Sequence, residues 1–157
     1  MENQKELLAK MRHSCEHILT QAILELFPKI KMAMGPATEE GFYFDFSAEG
    51  EKISEKDFGR IEKRMQQIIA KNLPIVRKEI SLAEARKLFA GNPFKQEWLD
   101  EIEKRGEKAT VYSTGDRFVD LCAGPHLEST GKIGAFKLLS IAGAYWHGDE
   151  KNQMLTR

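Results

Sequence analysis

Between residues 6 and 27, Leu8, Met11, Cys15, Ile18, Leu19, Ala22 and Leu26 recur at helical spacing and form one apolar stripe, which predicts a long N-terminal helix closed by Pro28. Residues 31–34 and 41–46, separated by Gly35-Pro36, read as paired strands, with Phe42, Phe44 and Phe46 on one face. Ser54 and Asp57 resemble a capping box and open a second helix through Phe58, Ile61, Met65, Ile68 and Ile69 towards Leu73. After Pro74 the chain is extended to Ile80. Ser81 and Glu84 start a short helix with Leu82, Ala85, Leu88 and Phe89 inward; Gly91-Asn92-Pro93 stops it, and one more helix fits residues 95–105. Residues 110–112 and 118–122 read as a hairpin joined through Thr114-Gly115-Asp116, and β-formers from 135 to 154 predict further strand.

This succession predicts an α+β fold: an antiparallel sheet packed against several helices, with the long helix at the N-terminus. Residues 1–157 read as one domain, with room for a small sub-lobe at about 50–108, since single domains commonly run about 100 to 200 residues. No repeat, low-complexity tract or linker divides them.

A hydrophobic share of 41% with 31% charged residues places the chain in the globular class. No apolar run approaches the roughly 20 residues that span a bilayer. The N-terminus has neither an export signal nor a transit peptide, so a cytoplasmic location and no membrane partner are expected. The 24 basic and 24 acidic side chains cancel, so any nucleic-acid contact must use local patches and be weak for this chain alone. Two cysteines make no disulfide framework, and Cys15 lies on the core stripe as a buried thiol.

Chemistry concentrates in two short stretches. In His13-Ser14-Cys15-Glu16-His17 the imidazoles stand one turn apart on the helix; at about 100° per residue they lie nearly opposite the apolar stripe. Leu24 and Phe27 share their side, which suggests the wall of a pocket. In Asp120-Leu121-Cys122-Ala123-Gly124-Pro125-His126, Gly124-Pro125 breaks regular structure and must turn the chain to return His126. Strand alternation sends Asp120 and Cys122 to the same side. Three imidazoles and a thiol form a sensible tetrahedral set for zinc, and the pattern is equally that of a metal-free catalytic site, a structural metal or a buried polar cluster.

These stretches, together with Lys31-Met-Ala-Met-Gly-Pro36, Gly41-Phe-Tyr-Phe-Asp45 and Ala142-Gly-Ala-Tyr-Trp-His-Gly-Asp149, resemble the editing domain of threonyl-tRNA synthetases, in matching order from about Leu7 to Arg157. Related alanyl-type editing modules share the paired plan but typically carry Gly-Gly-Thr between cysteine and histidine, where this chain has Ala-Gly-Pro. The resemblance implies hydrolysis of seryl-tRNA(Thr) at a site of His13, His17, Lys95, Asp120, Cys122 and His126, with Tyr43, Tyr112 and Asp120 binding substrate. Without it, Lys95 is an ordinary surface lysine.

The resemblance further implies metal-free operation, with zinc on His13, His17, Cys122 and His126 as the alternative. Its partners would be the acceptor end of tRNA(Thr) carrying serine and the rest of a synthetase chain; the aminoacylation core is absent from these residues. Because Arg157 falls inside a family motif, an excised domain is expected over a free-standing deacylase. Two departures are Phe44, where many members have Tyr, and His147, where Arg is common. A competing expectation is a zinc-stabilised, non-catalytic tRNA-binding module using Arg86, Lys87, Lys104 and Arg105; another is an alanyl-type deacylase.

Overall fold

The computed structural model describes residues 2–157. The first helix, α1, runs Gln4–Leu26 and starts ahead of its apolar stripe because Asn3 caps it: the Asn3 side chain accepts the Glu6 N–H while the Glu6 carboxylate returns to the Asn3 N–H. From Ser14 to Ile23 every residue of α1 is buried. The stripe therefore marks only one of the two faces this helix packs, and polar Ser14, Glu16, Thr20 and Gln21 are enclosed with it.

On the stripe side, α1 meets α2 (Phe58–Ala70) around Cys15, Ile18, Ala22, Phe46, Ile61 and Met65. The Ser54–Asp57 capping box is present, opening a short 3-10 turn into α2. A four-stranded antiparallel sheet joins the N-terminal and C-terminal parts of the chain: β1 (Lys31–Met34), β2 (Asp45–Ser47), β6 (Gly143–Tyr145) and β7 (Met154–Thr156), in the order β1-β2-β7-β6. Phe44 and Phe46 stack in the first core with ring centroids 5.1 Å apart.

A second antiparallel sheet, β3 (Ile75–Ile80), β4 (Ala109–Thr114) and β5 (Phe118–Leu121), carries α3 (Leu82–Leu88) and α4 (Pro93–Lys104) over a separate core of Ile80, Ala85, Phe89, Leu99, Val111 and Leu121. The β4–β5 hairpin is as expected, with Gly115 at φ 61 in its turn. Met32 packs against both cores, and Thr130 Oγ1 ties the Leu73 N–H to the end of α2.

The α+β class and the long first helix hold, with the antiparallel strands divided between two sheets. Several details differ from the sequence expectation. Leu88 is exposed, because the two turns of α3 direct Leu82, Ala85 and the following Phe89 towards the second core and Leu88 away from it. Gly91-Asn92-Pro93 both ends one helix and starts the next: Asn92 Oδ1 accepts the Phe94 and Lys95 N–H groups, and proline at the first helical position lacks only an N–H that would be unpaired there. From 135 to 142 the chain is irregular. Its β-formers pack rather than pair, Phe136 and Leu138 lying against the first core.

Candidate active site

α1 supplies His13 and His17 from successive turns, with ring centroids 5.5 Å apart. The hairpin supplies the rest. Its register sets Tyr112 opposite Asp120, and the Cys122 N–H continues the ladder to the Thr110 carbonyl, so Tyr112, Asp120 and Cys122 share a neighbourhood facing α1. Gly124, at φ 77, then turns the chain, and a Cβ there would overlap the Tyr112 hydroxyl. The turn returns His126 between the other rings, 4.1 Å from His13, 4.2 Å from His17 and 4.4 Å from Tyr112 by centroid. Cys122 Sγ stands 3.2 Å from both His13 Nε2 and His126 Nε2. These groups are separated by 109 residues along the chain and meet only because α1 docks on the hairpin.

Burial governs the electrostatics. It pushes the Cys122 thiol up to about 12 and lowers His126 to about 2, the neighbouring His17 and His13 adding to the latter. Burial also lowers His17, well below its usual value, and His13, where the Pro125 carbonyl and Asp120 oppose it. The cluster at neutral pH is thus three neutral imidazoles and a thiol: good proton acceptors beside a sulfur that is no thiolate nucleophile. Glu16 lies beside it, fully buried, its carboxyl raised by burial and by Asp120 and hydrogen-bonded by Thr20 Oγ1 at 2.7 Å. Its 3.7 Å approach to His17 Nε2 is therefore between neutral groups rather than an ion pair. The carboxyl fits because residue 35 is glycine, whose Cβ would overlap it.

The donor atoms of His13, His17, Cys122 and His126 all lie within 4.8 Å of one another. Zinc bonds of about 2.0–2.3 Å require tetrahedral edges of roughly 3.3–3.6 Å, so the set fits an ion once its widest separation closes by roughly 1 Å. His17 Nδ1 is buried without a hydrogen-bond partner among the described residues, which leaves one imidazole nitrogen for a water or an ion.

Residues 109–157 match the family model described as the threonyl and alanyl tRNA synthetase second additional domain. Threonine–tRNA ligase of Rubrobacter xylanophilus is 52% identical over 152 residues, covering 97% of this chain and 23% of that protein. That of Thermotoga petrophila is 53% identical over 148 residues, covering 93% and 23%, and the chloroplastic/mitochondrial threonine–tRNA ligase 2 of Arabidopsis thaliana is 49% identical over 154 residues, covering 96% and 23%. Nearly the whole chain is thus similar to one segment of threonyl-tRNA synthetases, and residues 109–157 to their second additional domain. The chain spans about a quarter of the length of these relatives.

The two charged residues singled out by resemblance are brought together: Lys95 Nζ is 2.9 Å from Asp120 Oδ1. Lys95 is 1% exposed, so its reading as a surface lysine is corrected; its ammonium also lies 5.4 Å from the centre of the Trp98 ring, one turn further along α4. Tyr112 joins the histidines, but Tyr43 does not: the Arg157 guanidinium lies 4.0 Å over its ring, and it lines an apolar cavity of about 520 Å³ on the stripe side of α1, to which none of the four cluster residues contributes. Phe44 lies in the first core, and His147 pairs at the surface with Glu97. Of the four cations of the binding-module alternative, Arg86 is paired with Asp100 and Glu103 and Arg105 with Glu107, while Lys87 and Lys104 have no ion pair among the described residues. Ser14, Glu16 and Thr20 escaped the sequence reading; the available signal was a Glu-Thr pair one turn apart beside two histidines.

Proposed function

We propose that this domain hydrolyses the ester of seryl-tRNA(Thr), removing serine attached in error by a threonyl-tRNA synthetase. The observation that supports it most is the meeting of His13, His17, Cys122 and His126 beside the buried Lys95–Asp120 pair, in a domain whose relatives are named threonine–tRNA ligases. Serine lacks one methyl group of threonine, a difference worth only about 1–3 kcal/mol in a pocket, so charging errors arise and a second site must remove them.

Water positioned beside His13 adds to the seryl carbonyl, its proton passing to His17, whose Nδ1 has no hydrogen-bond partner among the described residues; the carbonyl carbon–oxygen bond to the ribose then breaks, and the proton is returned to the departing ribose oxygen. Lys95 stabilises the charge that develops on the carbonyl oxygen, and Asp120 captures the seryl amine. Cys122, His126 and Tyr112 shape the pocket and hold the water. The chemistry needs no metal. Zinc, if bound by His13, His17, Cys122 and His126, would acidify a bound water. No helix among the described residues is long and apolar enough to cross a membrane, and the proposed setting is the cytoplasm, with tRNA and the remainder of a synthetase as partners.

Incubating the chain with seryl-tRNA(Thr) tests the proposal. Release of serine is expected, and His17→Ala is expected to slow it by about 100-fold or more, the scale of a lost general base, with His13→Ala also slowing it through the lost positioning of the water. Saturable binding without turnover would replace the hydrolase with a tRNA-binding module, and preference for seryl-tRNA(Ala) would move it to the alanyl type.

A further inference from the structure

Ser14 is fully buried on α1, and its hydroxyl has two neighbours: Oγ accepts the Leu127 N–H at 2.9 Å and lies 3.1 Å from His126 Nδ1. We propose that Ser14 donates its proton to His126 Nδ1 and so fixes the tautomers of His126 and His13, making Ser14 a positioning residue for the hydrolytic site. This deepens the reading of the cluster as catalytic and rests on it.

The argument is one of hydrogen-bond accounting. Ser14 has a single hydroxyl proton, and no acceptor other than His126 Nδ1 stands within hydrogen-bond distance of Oγ among the described residues. If His126 instead carried its proton on Nδ1 and donated to Ser14, the serine proton would be left unsatisfied on a side chain with no exposed surface, an arrangement folded proteins avoid. Nδ1 is therefore the bare nitrogen of His126, and Nε2 carries the proton.

The remaining contacts follow in one direction. His126 Nε2–H donates to Cys122 Sγ at 3.2 Å; that sulfur also accepts the Gly124 N–H at 3.3 Å and, as a thiol, sends its own proton to His13 Nε2 at 3.2 Å. His13 then carries its own proton on Nδ1. Every group from the Leu127 N–H to His13 Nε2 then has a matched role. Running the relay backwards satisfies each group except Ser14. The direction decides which nitrogens a water lying between the rings meets as donors and which as acceptors, and hence whether the site is set for proton removal before substrate arrives.

Long-range proton–nitrogen correlation spectra of the ¹⁵N-histidine-labelled chain near neutral pH report the tautomers without substrate. The expected spectrum has His126 protonated on Nε2 and His13 on Nδ1. Ser14→Ala is expected to populate the Nδ1–H form of His126, and Ser14→Thr, which keeps the hydroxyl, to restore the original pattern. In seryl-tRNA(Thr) hydrolysis the alanine variant should lose about 10–100-fold in kcat/KM, the usual cost of removing a group that orients a functional imidazole, and the threonine variant most of that loss should regain. His126 protonated on Nδ1 in the unaltered chain, or tautomers unchanged in Ser14→Ala, would overturn the proposal. If Ser14→Ala does not fold, the spectra of the unaltered chain and of Ser14→Thr still decide it. Expected tautomers without turnover would retire the hydrolase and leave the role of Ser14 standing, whereas turnover with the opposite tautomer would do the reverse.

Discussion

Removing one partner of the Lys95–Asp120 pair leaves the other as an uncompensated charge, with Lys95 1% and Asp120 5% exposed. Lys95→Met or Asp120→Asn is expected to cost about 3–5 kcal/mol in urea denaturation, and Lys95→Met with Asp120→Leu to recover most of it; additive losses would show that the two residues are not energetically paired. The histidines give a pH dependence whose sign follows from their depressed values. His126 takes its proton near 2 in the folded chain but at about 6.5 when unfolded, so between those values the unfolded state binds more protons and stability falls as the pH is lowered. His13 and His17 shift in the same direction. Denaturation midpoints should drop on acidification below about 6.5, and His126→Ala should flatten that slope. At this scale the histidines and Cys122 were legible from spacing alone. Lys95, Ser14 and Glu16 were not, because each is polar and its burial comes from a second packed surface that no local pattern reveals.

α4 owes its position to one side chain. Asn92 caps the helix through Oδ1 and, through Nδ2, donates to the Met32 carbonyl of β1 at 2.7 Å, so the turn carrying Lys95 is fastened to the strand beneath it. Asn92→Ala loses both functions and is expected to cost about 2 kcal/mol, roughly 1 for the cap and roughly 1 for the link. Asn92→Ser keeps a capping oxygen but cannot reach Met32, and should fall between; equal losses in the two variants would assign the whole effect to the link. Long amphipathic helices such as α1 and α2 were readable from their periodicity. The start of α4 was hidden because Gly-Asn-Pro is both a stop and a start signal, and the irregular 135–142 segment was misread because strand propensity records how a side chain packs, not whether its backbone finds a partner.

Two hydrophobic cores sit on either side of the site, one built on α1 and α2 and the other on α3, α4 and the three-stranded sheet. Among their joints are Met32, which touches both, its carbonyl, which accepts from Asn92 of α4, and Cys122, which meets His13 across 109 residues of chain. The candidate site is itself such a joint, since neither half contains it. That long-range meeting is what the sequence could not display, although both halves of the motif were visible in it. If the joints couple the cores tightly, the chain unfolds as one unit. Ile68→Ala in the first core and Leu99→Ala in the second should each cost about 2–5 kcal/mol, the range for emptying a packed aliphatic site. In a Trp146→Phe background, Trp98, which packs against the second core, reports it by fluorescence, while far-ultraviolet circular dichroism is weighted towards the long α1. With tight coupling, Ile68→Ala shifts the tryptophan transition as far as the helical one, although the substitution lies in the other core. A tryptophan transition left in place while the helical signal moves would mean that the cores melt separately, and the site, lying between them, would then be lost with the weaker of the two.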